Sequence, residues 1–530
     1  MSKLKELEKL FTKGKITRRE FMARVSALGL AAAVSPAFLS STAEAAKPKR
    51  GGRVILGSAG GSTTDSLDPG TVSHTMPQTI NQIIRNMLVE VDYKGEAVPE
   101  LAKSWEASPD AAKWTFKLHK GVEFHNGKTM TAQDVVYSFN EHRGADTKSA
   151  AKGVVAPIED IKADGKYTVV FTLKEGNADF PYIASDYHIP IIPEGTKGKD
   201  YEKGVGTGPF VLQAWEPGVR FFGKRNPNYF RKGRPYFDEV EVIGISDVNA
   251  RTNALKTGQI HAMNRCDTKT FHLLEKAPGI QALKLEGARH YTIPMLTTIK
   301  PYDNNDVRLG LKYAIDREIL VKQVMRGYGY LGNDHPIPRN NKYFAKELPQ
   351  RQYDPDKAKF HLKKAGQLGR TFNLHAADAA YPGAIDASVL IQESAAKAGV
   401  KIKVVREPDD GYWENVWIKK EWVQCYWSGR PTADWMFSIA YAADASWNDT
   451  KWDHPKFNQL LKEARAELND KKRREMYVEC QRITSDEGAT PIPMFSLQLS
   501  AASAKMGFKN PAANWEFDGF RLAERWWFKS

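Results

Sequence analysis

Two short runs in the first third of the chain alternate so strictly that they fix what the rest must be built around. From Lys113 to His119, Trp114, Phe116 and Leu118 fall on one face, and Thr115, Lys117 and His119 on the other. Tyr167, Val169, Phe171 and Leu173 repeat the pattern. A period of two with bulky apolar residues on one side describes a strand with one wet face and one that must be covered. Elsewhere the period changes. Thr131-Ala132-Gln133-Asp134, ahead of Val135, Val136 and Phe139, reads as a capping box opening a helix. Asp306 precedes a helix with Val307, Leu311, Ala314 and Ile315 on one stripe, and Asp316 caps a second segment. The stretch 400–405 follows Lys397-Ala398-Gly399, a helix end running into a strand. This mixed order, with hairpins and no repeats, predicts several α/β domains.

The first 45 residues read as a leader outside that fold. Met1 to Arg24 is polar and basic and contains Thr17-Arg18-Arg19-Glu20-Phe21. The uncharged stretch from Val25 to Leu39 is too short and too rich in small residues to span a bilayer permanently. Ala43-Glu44-Ala45 then supplies the small residues of a signal-peptidase site, with cleavage expected near Ala45. Paired arginines with a nearby Phe resemble a twin-arginine export signal; an ordinary secretory signal is the alternative. No cysteine adjoins the cleavage site, which argues against a lipoprotein anchor. No later run offers 18 uncharged apolar residues, so a soluble, periplasmic mature chain is expected.

Residues 46–530 exceed what one core holds and predict two or three domains. The formal charge of +14 overstates the mature chain, because the leader carries eight of the basic and four of the acidic residues. The remaining excess of ten is spread evenly, with no basic block or nucleic-acid-binding motif, so no nucleic-acid partner is expected. Cys266, Cys425 and Cys480 lie far apart; a Cys425–Cys480 disulfide and three buried free thiols both remain open. Gly-rich phosphate loops, Gly-x-Ser-x-Gly elbows and His-Glu-x-x-His pairs are all absent, so no cofactor and no catalytic residue is indicated.

A series of segments, taken in order, resembles the family-5 solute-binding proteins of ABC importers, the family of dipeptide-, oligopeptide- and nickel-binding proteins. The series opens with Leu88-Val89, Val98-Pro99-Glu100-Leu101-Ala102 and Trp105. It continues through 114–118, 121–127 and 131–139. Gly206-Thr207-Gly208-Pro209-Phe210, Asn226-Pro227-Asn228-Tyr229, Gly233 and Pro235 follow, then Asp306-Val307-Arg308 and Tyr313-Ala314-Ile315-Asp316-Arg317. The resemblance implies a two-lobed, type II periplasmic-binding-protein-like α/β fold with an extra inserted sub-domain. Residues 46–85, 200–288 and 498–530 would form the main part of the first lobe, 86–199 the insertion, and 289–497 the second lobe. It further implies a monomeric binder that traps a solute by hinge closure and passes it to an inner-membrane permease with its ATPase subunits. Several motif residues also have plain structural readings: Gly206–Pro209 as a tight turn entering a strand, and His125 as a hydrogen-bonding turn residue.

The family places a ligand-facing loop after a strand of the second lobe, here Trp427-Ser428-Gly429-Arg430-Pro431-Thr432-Ala433-Asp434. Peptide-binding relatives carry, three residues after the tryptophan, an aspartate that holds the peptide ammonium; this chain has Arg430. Dipeptide-binding relatives also carry a carboxylate-holding arginine before the lobe's long helix; the corresponding stretch here has Asp378 and Tyr381 and no arginine. The exchange predicts an anionic group on the solute near Arg430 and a cationic one toward Asp378, with Trp427 stacking on it. Trp427, Ser428, Gly429, Arg430, Thr432, Asp434, Asp378 and Tyr381 are therefore the candidate ligand-binding residues. The alternative for Arg430 is an internal pair with Asp434. The expected solute is peptide-like or anionic: an opine, a modified amino acid or a peptide. A binder of metal chelate or haem with the same fold is a second reading, although His74, His119, His125, His188, His261 and His454 lack the spacing of a metal site. An exported enzyme is a third.

Overall fold

The computed structural model describes residues 48–530 apart from 73–74, 409–411 and 446. The expected leader, with Arg18, Arg19 and Ala43–Ala45, lies outside the described residues, as does His74. The chain divides into two units. In the first, Pro48 stands opposite Lys529 and Lys49 opposite Phe528 in a short antiparallel pair. The second, Arg50–Trp527, carries the elements described below.

It opens with β1 (Arg53–Ser58) and then builds a separate antiparallel sheet from β2 (Ala102–Ala107), β3 (Lys113–Leu118), β4 (Ile158–Ala163) and β5 (Thr168–Leu173), in the order β2-β3-β5-β4. The two alternating runs are the central pair of that sheet. Trp114 lies opposite Phe171 and Phe116 opposite Val169, with Phe116 and Phe171 in edge contact at 5.4 Å. Their apolar faces are buried, each large side chain contributing about 1.5–3 kcal/mol. The capping box forms as expected: the Thr131 N–H donates to Asp134 Oδ2 at 2.9 Å, and α1 (Ala132–Asn140) packs on β4 and β5. A short helix, α2 (Phe180–Ile183), closes this region.

The chain returns through β6 (Phe210–Glu216), β7 (Arg220–Arg225), β8 (Glu239–Gly244), β9 (Ala262–Met263) and the long β10 (Ile280–Thr292). Gly206 and Gly208, just before β6, are required by close approach: a Cβ on either would sit 2.2–2.3 Å from the backbone of Ile84. Beyond β10 come α3 (Asn305–Tyr313), α4 (Arg317–Gln323), β11 (Gly329–Leu331), β12 (Thr371–Ala376), α5 (Ala384–Lys397) and β13 (Lys401–Arg406). Then follow β14 (Cys425–Trp427), α6 (Ala433–Ala440), α7 (Pro455–Ala466), α8 (Asp470–Glu487) and the returning β15 (Met494–Ser503). Asp316 caps α4 as expected, accepting from the Ile319 N–H at 3.1 Å. The cap of α3 is Asn304, not Asp306; Asp306 sits in the first turn and binds His361 at 2.7 Å. Gly399, at φ 72°, separates α5 from β13.

Among the described residues a nine-stranded sheet runs β14-β10-β15-β9-β1-β8-β7-β6, with β11 also on β15. Its strands serve different cores. Tyr291, Ile293, Met494 and Phe495, at one end of β10 and β15, join a cluster with Leu311, Leu374, Phe437 and Tyr477. At the other end, Leu499 and Ala501 join a cluster with Ile260, Phe271 and Leu274. The pairing of β10 with β15 shifts register between Glu286 and His290, where the two regions meet. A further cluster, built on Phe116, Phe139, Phe171 and Phe180, belongs to residues 88–191. All three cysteines are free and buried, so the Cys425–Cys480 disulfide does not form.

Candidate functional site

The loop after β14 is shaped by one glycine. Trp427 pairs with His290 of β10, and two residues later a Cβ on Gly429 would lie 1.9 Å from that of Ala288. Only glycine permits that approach, and the loop turns there to present Arg430. Arg430 Nη1 donates to the carbonyls of Ser428 at 3.0 Å and Gly429 at 3.2 Å. Its guanidinium lies 6.0 Å from the Trp427 ring centroid. Among the described residues it has no carboxylate within ion-pairing distance, and the acidic groups that act on it from outside its loop are the neutral Tyr187 hydroxyl and the Asp186 carboxyl. Desolvation holds its pKa below the usual arginine value, the signature of a buried cation without a full counter-charge.

The internal pair with Asp434 does not exist. Asp434 is bound by Arg465 of α7, whose Nε lies 3.2 Å from Asp434 Oδ2 and whose Nη2 donates to Ser438 at 2.7 Å. Burial pushes the Asp434 carboxyl up to about 6, against the pull of Arg465. Thr432 caps α6, its Oγ1 accepting from the Trp435 N–H at 3.1 Å. Trp427 faces inward: its indole N–H donates to Asp449 at 3.2 Å, and its ring meets Trp417 and Trp447 at 6.4 and 5.9 Å. Asp449 also accepts from the Trp417 indole at 3.4 Å, and burial raises its pKa to about 6.

Two expected residues lie elsewhere. Asp378 is exposed and accepts from the N–H groups of Gly383 and Ile385 at the start of α5, so the absent arginine is not replaced by a cleft carboxylate there. Tyr381 is buried, donates to Gln424 at 2.8 Å and packs against Tyr291 at 4.2 Å. His125 accepts the turn role expected of it, with Nε2 3.0 Å from the Gly208 carbonyl. Among the described residues no three His, Cys, Asp or Glu side chains converge as metal ligands.

Arg430, Pro431 and Thr432 line a cleft with Val91, Tyr93 and Asn514, enclosing about 70 Å³. That is below the roughly 300–1,000 Å³ of small-molecule sites, so a molecule the size of a dipeptide enters only if the walls part. Tyr187, which acts on Arg430, belongs to an aromatic corner that sequence spacing gave no means of assembling. Tyr187 meets Trp515 edge-on at 5.3 Å, and Trp515 stacks on Phe520 at 5.9 Å. Phe517, Asp518 and Phe520 all have left-handed φ, of 49°, 59° and 64°, a strained run costing about 1–3 kcal/mol per residue. The Asp518 carboxylate holds it, accepting from the Ala512 N–H, the Trp526 indole and Arg525 at 2.6–3.0 Å.

A family model described as bacterial extracellular solute-binding proteins, family 5, matches residues 96–449. The glutathione-binding protein GsiB of Pectobacterium atrosepticum is 28% identical over 470 residues, spanning 85% of this chain and 89% of that protein. Among solved structures, the periplasmic binding protein DppA of Helicobacter pylori, in complex with the peptide STSA, aligns with a TM-score of 0.72 at 24% identity, over 91% of this chain and 99% of its own. AgaA from A. tumefaciens R10, in complex with agropinic acid, aligns with a TM-score of 0.72 at 25% identity, over 90% and 99%. No helix among the described residues is long and apolar enough to cross a membrane.

Proposed function

The chain belongs to the bacterial extracellular solute-binding proteins of family 5, whose fold is the two-lobed α/β fold of periplasmic binding proteins, and from that premise we propose that it captures an organic solute bearing an anionic group. The observation that carries this reading is Arg430: a largely buried guanidinium at the cleft wall with, among the described residues, two backbone carbonyls of its own loop as its hydrogen-bond acceptors. A carboxylate or phosphate arriving there finds unused planar donors. Relatives support the range of solutes, since one is named for binding glutathione and one structure holds agropinic acid. An opine, an acylated amino acid or another acidic conjugate fits the site better than a plain peptide, whose free ammonium would face a buried cation. The aromatic corner of Tyr187 and Trp515 supplies a wall against which the remainder of the solute packs.

On this reading the protein has no catalytic role. It works by hinge closure at the register shift of β10 and β15, with residues 289–497 as the moving lobe and 86–199 inserted in the other. After export to the periplasm, directed by residues 1–45, it delivers solute to an inner-membrane permease and its ATPase. Native mass spectrometry of freshly purified protein, followed by thermal-shift measurements on the solute found, tests the assignment. The expected result is a co-purifying acid that raises the melting temperature more than any unmodified di- or tripeptide. Stabilisation by plain peptides and by no acidic conjugate would overturn it.

A further inference from the structure

The region of residues 88–191 has a core of its own, shares no core residue with the cluster of residues 291–495, and yet touches that second region directly. The contact is made by the segment leading into α2. The Ala178 N–H donates to the Arg465 carbonyl at 2.7 Å. Asp179 Oδ1 lies 2.8 Å from Arg473 Nη2, with both side chains almost wholly buried. A Cβ on Gly176 would stand 3.2 Å from that of Ala466. Among the described residues the two regions are thus joined here by a buried ion pair, a backbone hydrogen bond and a small-residue contact, with the longer surface pairs Lys342–Glu96 and Lys462–Glu175, each at 3.9 Å, beside them.

The two sides of the contact are unequally anchored. Arg473 is fixed within its own region, donating to the Ala464 carbonyl at 3.0 Å and to the hydroxyls of Tyr343 and Tyr477 at 3.2 and 3.3 Å. Asp179 has one oxygen on Arg473, and among the described residues its buried Oδ2 has no hydrogen-bond partner. A half-satisfied carboxylate holds without locking, which suits a contact that must break and reform. The contact also reaches the cleft wall, because the Arg465 whose carbonyl receives Ala178 is the residue that fixes Asp434 at the start of α6.

We propose that the inserted region carries a closure latch: Asp179 and the Ala178 N–H clip onto Arg473 and the Arg465 carbonyl, hold the two cores together in the absence of solute, and let go when they part. Asp179 also lines the cleft that Arg430 lines, so the latch closes at a wall the solute meets, but the test needs no solute. Spin labels at Lys148→Cys and Lys363→Cys, both exposed positions on opposite sides of the contact, report the distance between the cores in the full solute-free protein. The native cysteines are buried and leave the labels specific.

The latch predicts a short-distance population in the native protein. In Asp179→Asn the short-to-long ratio should fall about tenfold or more, since one charge of a buried pair is then left alone. Arg473→Gln should produce the same shift from the other side, and the double variant no more than either single one. Circular dichroism and melting curves identify variants that fold. A native protein with no short-distance population, or folded variants that keep it, overturns the latch. So does failure of both variants to fold, which would make the pair part of a core. A failed latch would leave the reading of Arg430 standing, and a failed reading of Arg430 would leave the latch standing.

Discussion

Arg430 and Arg473 belong to the same half of the molecule, and both are largely withdrawn from water, but they have opposite surroundings. Arg473 meets a carboxylate, two tyrosine hydroxyls and a carbonyl, and its pKa is raised by Asp179 despite burial. Arg430 meets two carbonyls of its own loop, and its pKa is lowered by desolvation. The first is a cation with a counter-charge. The second lacks one, and the two arginines of the same chemistry differ in what their donors meet.

The sharpest way to break this contrast is to truncate both. Arg473→Ala should lose about 1–3 kcal/mol of folding stability, because its bonds to Ala464, Tyr343 and Tyr477 go with it while Asp179 reaches water as the cores part. Arg430→Ala should leave folding stability unchanged or slightly improved, while costing about 2–5 kcal/mol of affinity for the co-purifying solute. Arg430→Lys should recover only part of that affinity, having lost the planar fork. Denaturant unfolding and isothermal titration separate the two quantities. Equal losses of stability in both alanine variants would erase the distinction.

Asp449 sharpens the comparison from the acidic side. It is buried with two indole N–H donors and no ion pair among the described residues. Its folded pKa of about 6 stands above the ordinary 3.8, so the folded protein holds its proton more tightly than the unfolded chain. The associated stability is fully present below about pH 4 and is lost as pH rises through 6. A shift of that size corresponds to about 3 kcal/mol at most. Asp449→Asn should therefore gain stability over the native protein at pH 7 and lose that advantage toward pH 4, read from the difference between their unfolding curves. A constant difference across the range would remove Asp449 as the titrating group. The smallest effect is expected at Asp378, whose exposed carboxylate only receives N–H groups of a helix start. Asp378→Ala should cost about 0.5–1 kcal/mol of stability and leave solute affinity intact. A change in affinity would return Asp378 to the cleft.

Much of the fold was legible because its signals are local. The alternation at 113–119 and 167–173 needs only neighbours two apart, and the Thr131 and Asp316 caps need only three. The cap of α3 was misplaced because Asn304 and Asp306 are both competent, and the choice depends on where Asp306 finds His361. The candidate site was legible only at Arg430 and its loop. Nothing in the spacing of residues could show that Asp434 is taken by Arg465, that Trp427 is turned inward by Asp449, or that Tyr187, packed on Trp515, comes to act on Arg430. Those partners are set by tertiary contact between segments far apart in the chain.

The place of β15 in the large sheet has a consequence for how the protein is made. This strand, more than 200 residues after β10 and β9 in the chain, lies between them, and it contributes to the cores at both of its ends. Until Met494–Ser503 emerges, both neighbouring strands present open edges, and neither core can close. This sheet therefore closes through pairings of high sequence separation, and its open edges are exposed to aggregation until β15 is in place. Whatever protects those edges must act until β15 is paired, whereas the region of residues 88–191 has a core of its own and need not wait for it.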